Sequence, residues 1–223
     1  MARRGRSELN GWWRAGTPVV GAVFRTFFRI RYVGIENVPR SGPAVLAANH
    51  VSALDGIVLA LAPAERRRRM TRFLSPTEFF ENRWYGWGLR LFGHIELKRG
   101  DPKALDEALE TIRSGAMTGI FPEGRVGETG ELQRGHSGVS RIALATGAPV
   151  VPVGIWGTQV RWPQPGFTLR RPWRPTLVLS FGPPIPARGD VGDRASVRAF
   201  TKVVMEGIAV QLDQARALAE ADR

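Results

Sequence analysis

Short apolar runs recur along the chain, separated by longer stretches in which apolar residues return at helical spacing. "AVLAA" (44–48), "RFLS" (72–75), "HIEL" (94–97), "MTGIFPEG" (117–124), "PVVPVGI" (149–155) and "PTLVLSF" (175–181) read as strands, the fourth running into a turn. The intervening segments read as helices: a run from near Ser52, "FFENRWYGWGLRLF" (79–92), "DPKALDEALETIRSG" (101–115), "HSGVSRIALATG" (136–147) and a long closing helix from Ala195 to Glu220. The segment 101–115 has the clearest punctuation, with Asp101 as N-cap, Pro102 at the first helical position and Gly115 past the end. Strands separated by helices predict an α/β fold, a mostly parallel sheet covered by helices. In such sheets ligands bind beyond the carboxyl ends of the strands.

The N-terminus departs from this rhythm. Residues 1–32 are basic, Arg14, Arg25 and Arg29 interrupt their apolar stretch, and its uninterrupted run, Ala15 to Phe24, is about half the ~20 residues that a span requires. No small-residue cleavage site follows cleanly, so the segment does not read as a secretory signal. It reads as an amphipathic, membrane-interfacial helix: Trp12 and Trp13 at headgroup depth, Val20, Val23, Phe24, Phe27 and Phe28 inward, arginines toward anionic headgroups. A first helix packed on the core is the alternative. The expected organisation is this N-terminal segment (1–32) followed by one domain (33–223). The uncharged stretch 142–160 is no span, because Gly147, Pro149, Pro152, Gly154 and Gly157 break it into a helix end, a turn and a buried strand.

Charge adds a constraint on partners. The 223 residues carry 32 Lys and Arg against 20 Asp and Glu, a net +12, nearly all of it arginine. Such a surplus favours an anionic partner, and guanidinium groups bind phosphate in a bidentate way that ammonium cannot copy. No nucleic-acid module signature accompanies the charge, so nucleic acid is not the expected partner. With no cysteine and three scattered histidines, His50, His94 and His136, the sequence offers neither disulfides nor a zinc site. "ERRRRM" (65–70) is a solvated loop or a contact to anionic lipid, and "RWPQPGFTLRRPWRP" (161–175) is a second interfacial loop or a plain surface excursion.

Two polar motifs follow predicted strands. In "NHVSALD" (49–55), His50 and Asp55 stand five positions apart and would point away from each other on a regular helix. With His50 in the loop and Asp55 in the first helical turn, the carboxylate reaches the imidazole and profits from the positive helix end. Such a pair makes a competent general base. "FPEGR" (121–125) places Glu123 and Gly124 in a tight turn beside Arg125, a candidate phosphate seat. Lys98 and Arg99, at a strand end before a helix start, offer another. "GHSGV" (135–139) lacks the final glycine of a nucleophile elbow, and no P-loop or dinucleotide fingerprint occurs.

"NHVSALD" (49–55), "GHIELKRG" (93–100), "FPEGR" (121–125) and "GAPVVPVGIWGT" (147–158) occur in the order of the four sequence blocks of the glycerolipid acyltransferases. Over roughly residues 35–185 the chain resembles a bacterial member of the 1-acylglycerol-3-phosphate acyltransferase family. The resemblance implies the glycerolipid acyltransferase fold and transfer of a fatty acyl group to a lysophospholipid hydroxyl. The donor is a thioester, acyl-CoA or acyl carrier protein, and neither metal nor cofactor takes part. It implies His50 as base and Asp55 as its orienting partner. Lys98, Arg99, Glu123, Gly124, Arg125 and His136 fall at the acceptor site, and Asn49, Ser52, Val151, Pro152 and Val153 support the site and the acyl chain. A peripheral or monotopic enzyme at the cytoplasmic face of the cell membrane, against anionic lipids, is the corresponding location. The third block departs from the family's E-G-T-R: Arg125 follows Gly124 directly, and Val126 comes next. Where a lysine is common, His136 stands. Both changes fall where the acceptor phosphate would be held, so another lysolipid or a glycolipid is the alternative acceptor. A non-catalytic binder of anionic lipid is the reading from a different class.

Overall fold

The computed structural model of the chain describes residues 9–97, 102–127, 130–163, 166–169 and 172–222. Seven strands form one sheet: β1 (Arg29–Val33), β2 (Ala44–Ala48), β3 (Thr71–Pro76), β4 (Ile95–Leu97), β5 (Met117–Ile120), β6 (Val150–Trp156) and β7 (Thr176–Phe181). Their spatial order is β1-β7-β6-β2-β5-β3-β4. Every pairing is parallel except β6 with β7. Helices α1 (Gly11–Phe27), α2 (Asp55–Arg67), α3 (Thr77–Glu81), α4 (Arg83–Leu91), α5 (Pro102–Arg113), α6 (Gly138–Thr146) and α7 (Arg194–Ala221) complete the α/β fold that the periodicity predicts.

β2 and β6, at the middle of the sheet, are apolar throughout because both faces of the sheet are covered. All five residues of β2 are buried; Ala44, Leu46 and Ala48 face the cluster that includes Val58, Leu59 and Leu61 of α2, while Val45 and Ala47 face Val139 of α6 and Val204 of α7. Strand alternation thus puts α1 and α2 on one side of the sheet and α6 and α7 on the other. On the α7 side the helix sits so close to β6 that a Cβ at Gly154 would run into the backbone of Gln211 and Leu212.

Three expectations need adjustment, and a fourth falls partly outside the described residues. β1 was not expected as a strand, and it crosses the 32/33 boundary drawn from composition. Its "RIRYV" alternates in the manner of an edge strand, and it pairs with β7, Arg29 opposite Thr176. The 79–92 helix is two, α3 and α4, broken at Asn82. α5 begins at Pro102, as expected, but Asp101 lies outside the described residues. The faces of α1 also sort differently from the interfacial pattern. Trp13, Phe24 and Phe28 are buried in the protein, and Trp12, Val19 and Val23 are exposed. Val23 sits ~100° around the helix from Phe24, so the two cannot share a face. Among the described residues no helix is long and apolar enough to cross a membrane.

Candidate active site

The loop after β2 carries His50, and α2 begins at Asp55. Leaving a central strand, the chain must turn within a few residues, and Asp55 organises that turn. Its Oδ2 accepts from the backbone N–H groups of Val51 (2.6 Å) and Ser52 (2.8 Å) and lies 2.9 Å from His50 Nδ1. Its Oδ1 accepts from the Thr158 hydroxyl at 2.6 Å. The carboxylate is fully buried and fully bonded, and it sits at the positive end of α2. With Nδ1 donating to Asp55, Nε2 of His50 keeps its lone pair for an incoming proton. The loop histidine facing a first-turn aspartate is the arrangement that the five-residue spacing allowed.

The second motif holds this loop from the other side. Glu123 Oε1 accepts from the His50 backbone N–H at 2.7 Å, and Oε2 accepts from the Gln133 N–H at 2.9 Å. Gly127 N–H in turn donates to the His50 carbonyl at 2.7 Å. Burial raises the Glu123 carboxyl above its usual value, against the pull of these backbone donors. Its oxygens point to backbone amides, so it positions His50. Gly124 occupies the left-handed region (φ 71°), and His136 is tied beside it by its N–H to the Pro122 carbonyl at 2.7 Å. A Cβ at Gly124 would stand 3.3 Å from the His136 ring. Arg125 is exposed, its Nε donating to Gln133 Oε1 at 3.2 Å. Gly124 and Arg125 therefore share a cavity with His50 and His136 stands beside Gly124, whereas Lys98 and Arg99 lie outside the described residues.

Asn49 is a buried crosslink: its side chain donates to the Ile155 carbonyl (3.0 Å) and accepts from the Ile155 N–H (2.7 Å), fixing the end of β2 to β6. Ser52 is also buried and donates to the Trp162 carbonyl at 3.0 Å. Val151 and Val153 pack in the core and Pro152 faces α7, and none of the three lines the cavity described next; they hold β6 in place. Sequence reasoning missed Thr158 and Phe121. Thr158 is a polar residue at the carboxyl end of a strand, which is the signal that could have found it. Phe121 stacks on the His50 ring at 4.1 Å between centroids and is followed in the column by Phe73 at 5.9 Å and then His94 at 5.4 Å.

His50, Gly124 and Arg125 share a cavity of about 960 Å³ with Trp13 and Val20 of α1, Ile57 and Leu61 of α2, and Phe73, Leu89 and Phe92. Its size is at the upper end of the ~300–1,000 Å³ typical of ligand sites, and its walls are mainly apolar. A basic nitrogen beside a deep apolar cavity with a cation near its edge suits an amphipathic, anionic substrate.

His94 also lines this cavity. Its Nδ1 is buried without a hydrogen bond among the described residues, and burial lowers its pKa to about 4. The unfolded chain then takes up a proton near pH 6.5 that the folded chain refuses until about pH 4. Stability present above pH 6.5 should therefore fall as pH drops through this window, by up to roughly 3 kcal/mol. Urea unfolding of wild type and His94→Phe across pH 4 to 7.5 checks this: wild type should lose stability relative to the variant as pH falls through the window, and a constant difference would refute it.

The geometry can be set beside known proteins. The acyltransferase family model matches residues 29–156. A chloroplastic 1-acyl-sn-glycerol-3-phosphate acyltransferase of Arabidopsis thaliana is 34% identical over 59% of this chain, though the match spans only 37% of that relative. One from Pseudomonas aeruginosa is 29% identical over 86% of this chain and 72% of its own length. The crystal structure of the 1-acyl-sn-glycerophosphate acyltransferase of Thermotoga maritima superimposes with a TM-score of 0.69 at 26% identity, covering 88% of this chain and 78% of that one.

Proposed function

This chain belongs to the acyltransferase family, and from that premise we propose that it moves a fatty acyl group from a thioester to the hydroxyl of a lysophospholipid. The acceptor that fits best is 1-acylglycerol-3-phosphate, giving phosphatidic acid. The donor is acyl-CoA or acyl carrier protein. The observation that carries the reading is the His50–Asp55 pair, bonded at 2.9 Å at the edge of an apolar cavity of about 960 Å³.

In the proposed reaction the acceptor hydroxyl oxygen attacks the thioester carbonyl carbon while His50 Nε2 takes the hydroxyl proton. Asp55 stabilises the imidazolium formed. Collapse of the tetrahedral intermediate completes the ester, breaks the C–S bond and returns the proton to the leaving sulfur. No covalent enzyme intermediate, metal or cofactor is required. The apolar cavity accommodates an acyl chain, and Arg125 with His136 provides donors for an anionic headgroup. On this reading the enzyme works peripherally at the cytoplasmic face of the membrane.

The directly adjoining Gly124 and Arg125 favour a second reading, in which another lysolipid or a glycolipid is the acceptor. Incubating the purified protein with palmitoyl-CoA and a mixture of lysolipids, with products identified by mass spectrometry, separates the two. Phosphatidic acid as main product supports the first reading, and a different main product replaces it. If no lysolipid is acylated, the acyl-transfer proposal fails.

Thr158 enters the same mechanism as a positioning residue. Thr158→Val leaves Asp55 Oδ1 without the hydroxyl seen at 2.6 Å. A hydrogen bond to a charged group is worth about 1.5–3 kcal/mol, so kcat/KM should drop roughly 10–100-fold. Thr158→Ser, which restores the hydroxyl, should recover most of the rate. Equal rates for Val and Ser variants would remove Thr158 from the mechanism.

A further inference from the structure

One wall of the apolar cavity carries polar groups that no other described residue satisfies. His94 follows α4, which closes with Gly93 in the left-handed region (φ 71°). The Gly93 N–H donates to the Arg90 carbonyl (3.0 Å) and the His94 N–H to the Leu89 carbonyl (2.9 Å). This double closure fixes the His94 backbone, at a position that usually supplies an apolar contact to the last helical turn. Capping thus explains the place but not the imidazole. The ring stacks on Phe73 at 5.4 Å, and its Nδ1 is buried with no hydrogen-bond partner among the described residues. Ser75 lies two residues beyond Phe73 on β3, on the same face of the strand, and also lines the cavity. Its hydroxyl, too, has no partner among the described residues. Thr17 is satisfied by contrast, its hydroxyl donating to the Trp13 carbonyl at 2.5 Å.

Charge and position identify what these groups suit. Burial lowers the His94 pKa to about 4, so at neutral pH the imidazole is uncharged, one nitrogen accepting and the other donating, and holds no attraction for an anionic headgroup. From His50 the aromatic column runs through Phe121 and Phe73 to His94, with centroid steps of 4.1, 5.9 and 5.4 Å. His94 therefore stands well away from the reacting atoms, among the hydrocarbon walls of Leu89, Phe92 and Phe73. Solvent entering the cavity can satisfy both polar groups. A saturated chain displaces that solvent and leaves imidazole and hydroxyl buried and unpaired, which is costly. A chain with a hydroxyl at this depth replaces the lost hydrogen bonds.

We infer that the cavity selects a fatty acyl chain carrying a hydroxyl group part-way along its length, with His94 and Ser75 as the residues that recognise it. The chain hydroxyl donates to the imidazole and accepts from the Ser75 hydroxyl, and it takes no part in the transfer itself. Because three ring steps separate His94 from His50, the recognised position lies near mid-chain and not beside the thioester. A site built to bond a substrate hydroxyl rejects the analogue lacking it more strongly than an apolar pocket rejects an added methylene. The inference rests on the acyl-transfer reading for the identity of the chain, which the donor or the acceptor can bring.

Competition between octadecanoyl-CoA and 12-hydroxyoctadecanoyl-CoA for 1-acylglycerol-3-phosphate reads the selectivity as a ratio of products. In a second arm the acceptor carries the hydroxyl: 1-(12-hydroxyoctadecanoyl)glycerol-3-phosphate competes with its 1-octadecanoyl counterpart for palmitoyl-CoA. The wild type should favour the hydroxylated chain about tenfold in one arm, and that arm names the source of the chain. His94→Phe should lower the ratio about tenfold, and Ser75→Ala should lower it less. His94→Gln, which keeps a hydrogen-bonding group, should retain most of the preference. A hydroxyl at the second carbon of the donor chain should bring none. Displacement of cis-parinaric acid from the protein by octadecanoic and 12-hydroxyoctadecanoic acids makes the same comparison without turnover. Failure of all acyl transfer would therefore end that reading and still leave the chain preference measurable. Equal use of plain and hydroxylated chains in both arms, or equal displacement where no transfer occurs, overturns the proposal. So does a folded His94→Phe protein with the wild-type ratio; if that variant does not fold, an unchanged ratio in Ser75→Ala overturns it instead.

Discussion

Replacing His50 by alanine is expected to slow acyl transfer about 10²–10⁴-fold, the range that general-base catalysis contributes. The side chain is 17% exposed and bonds to Asp55 through Nδ1, leaving Nε2 as the site for a proton in transit. Its loss should cost the fold little. Asp55 keeps the Val51, Ser52 and Thr158 donors, and the ring's contact with Phe121 is a single stacked pair. The variant should therefore melt cooperatively, close to wild type. Initial rates with palmitoyl-CoA and 1-acylglycerol-3-phosphate, measured on protein of verified fold, provide the check. A His50→Ala protein that turns over at the wild-type rate would remove His50 from the chemistry.

Asp55→Asn should cost nearly as much in rate and more in stability. The carboxylate is wholly buried and accepts on both oxygens, three donors at Oδ2 and one at Oδ1. An amide has one oxygen. If that oxygen takes the Oδ2 place, the backbone donors of Val51 and Ser52 are met, but the anion that would stabilise an imidazolium is gone. If the amide turns, its NH₂ faces those two N–H groups and forces the imidazole into the wrong tautomer. The same change in Ser-His-Asp triads lowers kcat by about 10⁴-fold, and a fall of about 10²–10⁴-fold is expected here. A stability loss of about 1–3 kcal/mol should accompany it from the unsatisfied donors. Denaturant unfolding and rates on the same preparation separate the two effects. Wild-type activity in Asp55→Asn would show that the pair does not work as a base and its partner.

Much of the site was legible in the residues. "NHVSALD" and "FPEGR" each follow an apolar run of strand length, and parallel sheets open at such places. His50, Asp55, Gly124 and Arg125 do meet there, and His136 adjoins Gly124. The role of Glu123 was not legible, because its carboxylate bonds to the backbone of His50, 73 positions away, and not outward to solvent. Thr158 was missed for the same reason: its hydroxyl reaches Asp55 across 103 positions, and only the pairing of β6 with β2 brings them together. β1 was overlooked because "RIRYV" lacks the continuous apolar run of a buried strand, and its partner, β7, begins at Thr176.

The alternation of strands and helices, the histidine–aspartate pair and the arginine surplus can be read from the chain before it folds. Each of these depends on near neighbours or on composition, through strand and helix periodicity, capping and the count of charges. Which donors complete Asp55, which residues hold His50 in its loop and which face of α1 is left uncovered emerge only once the sheet is assembled. Buried polar groups must be satisfied wherever they lie, and their partners are supplied by strands adjacent in the sheet but far apart in the chain.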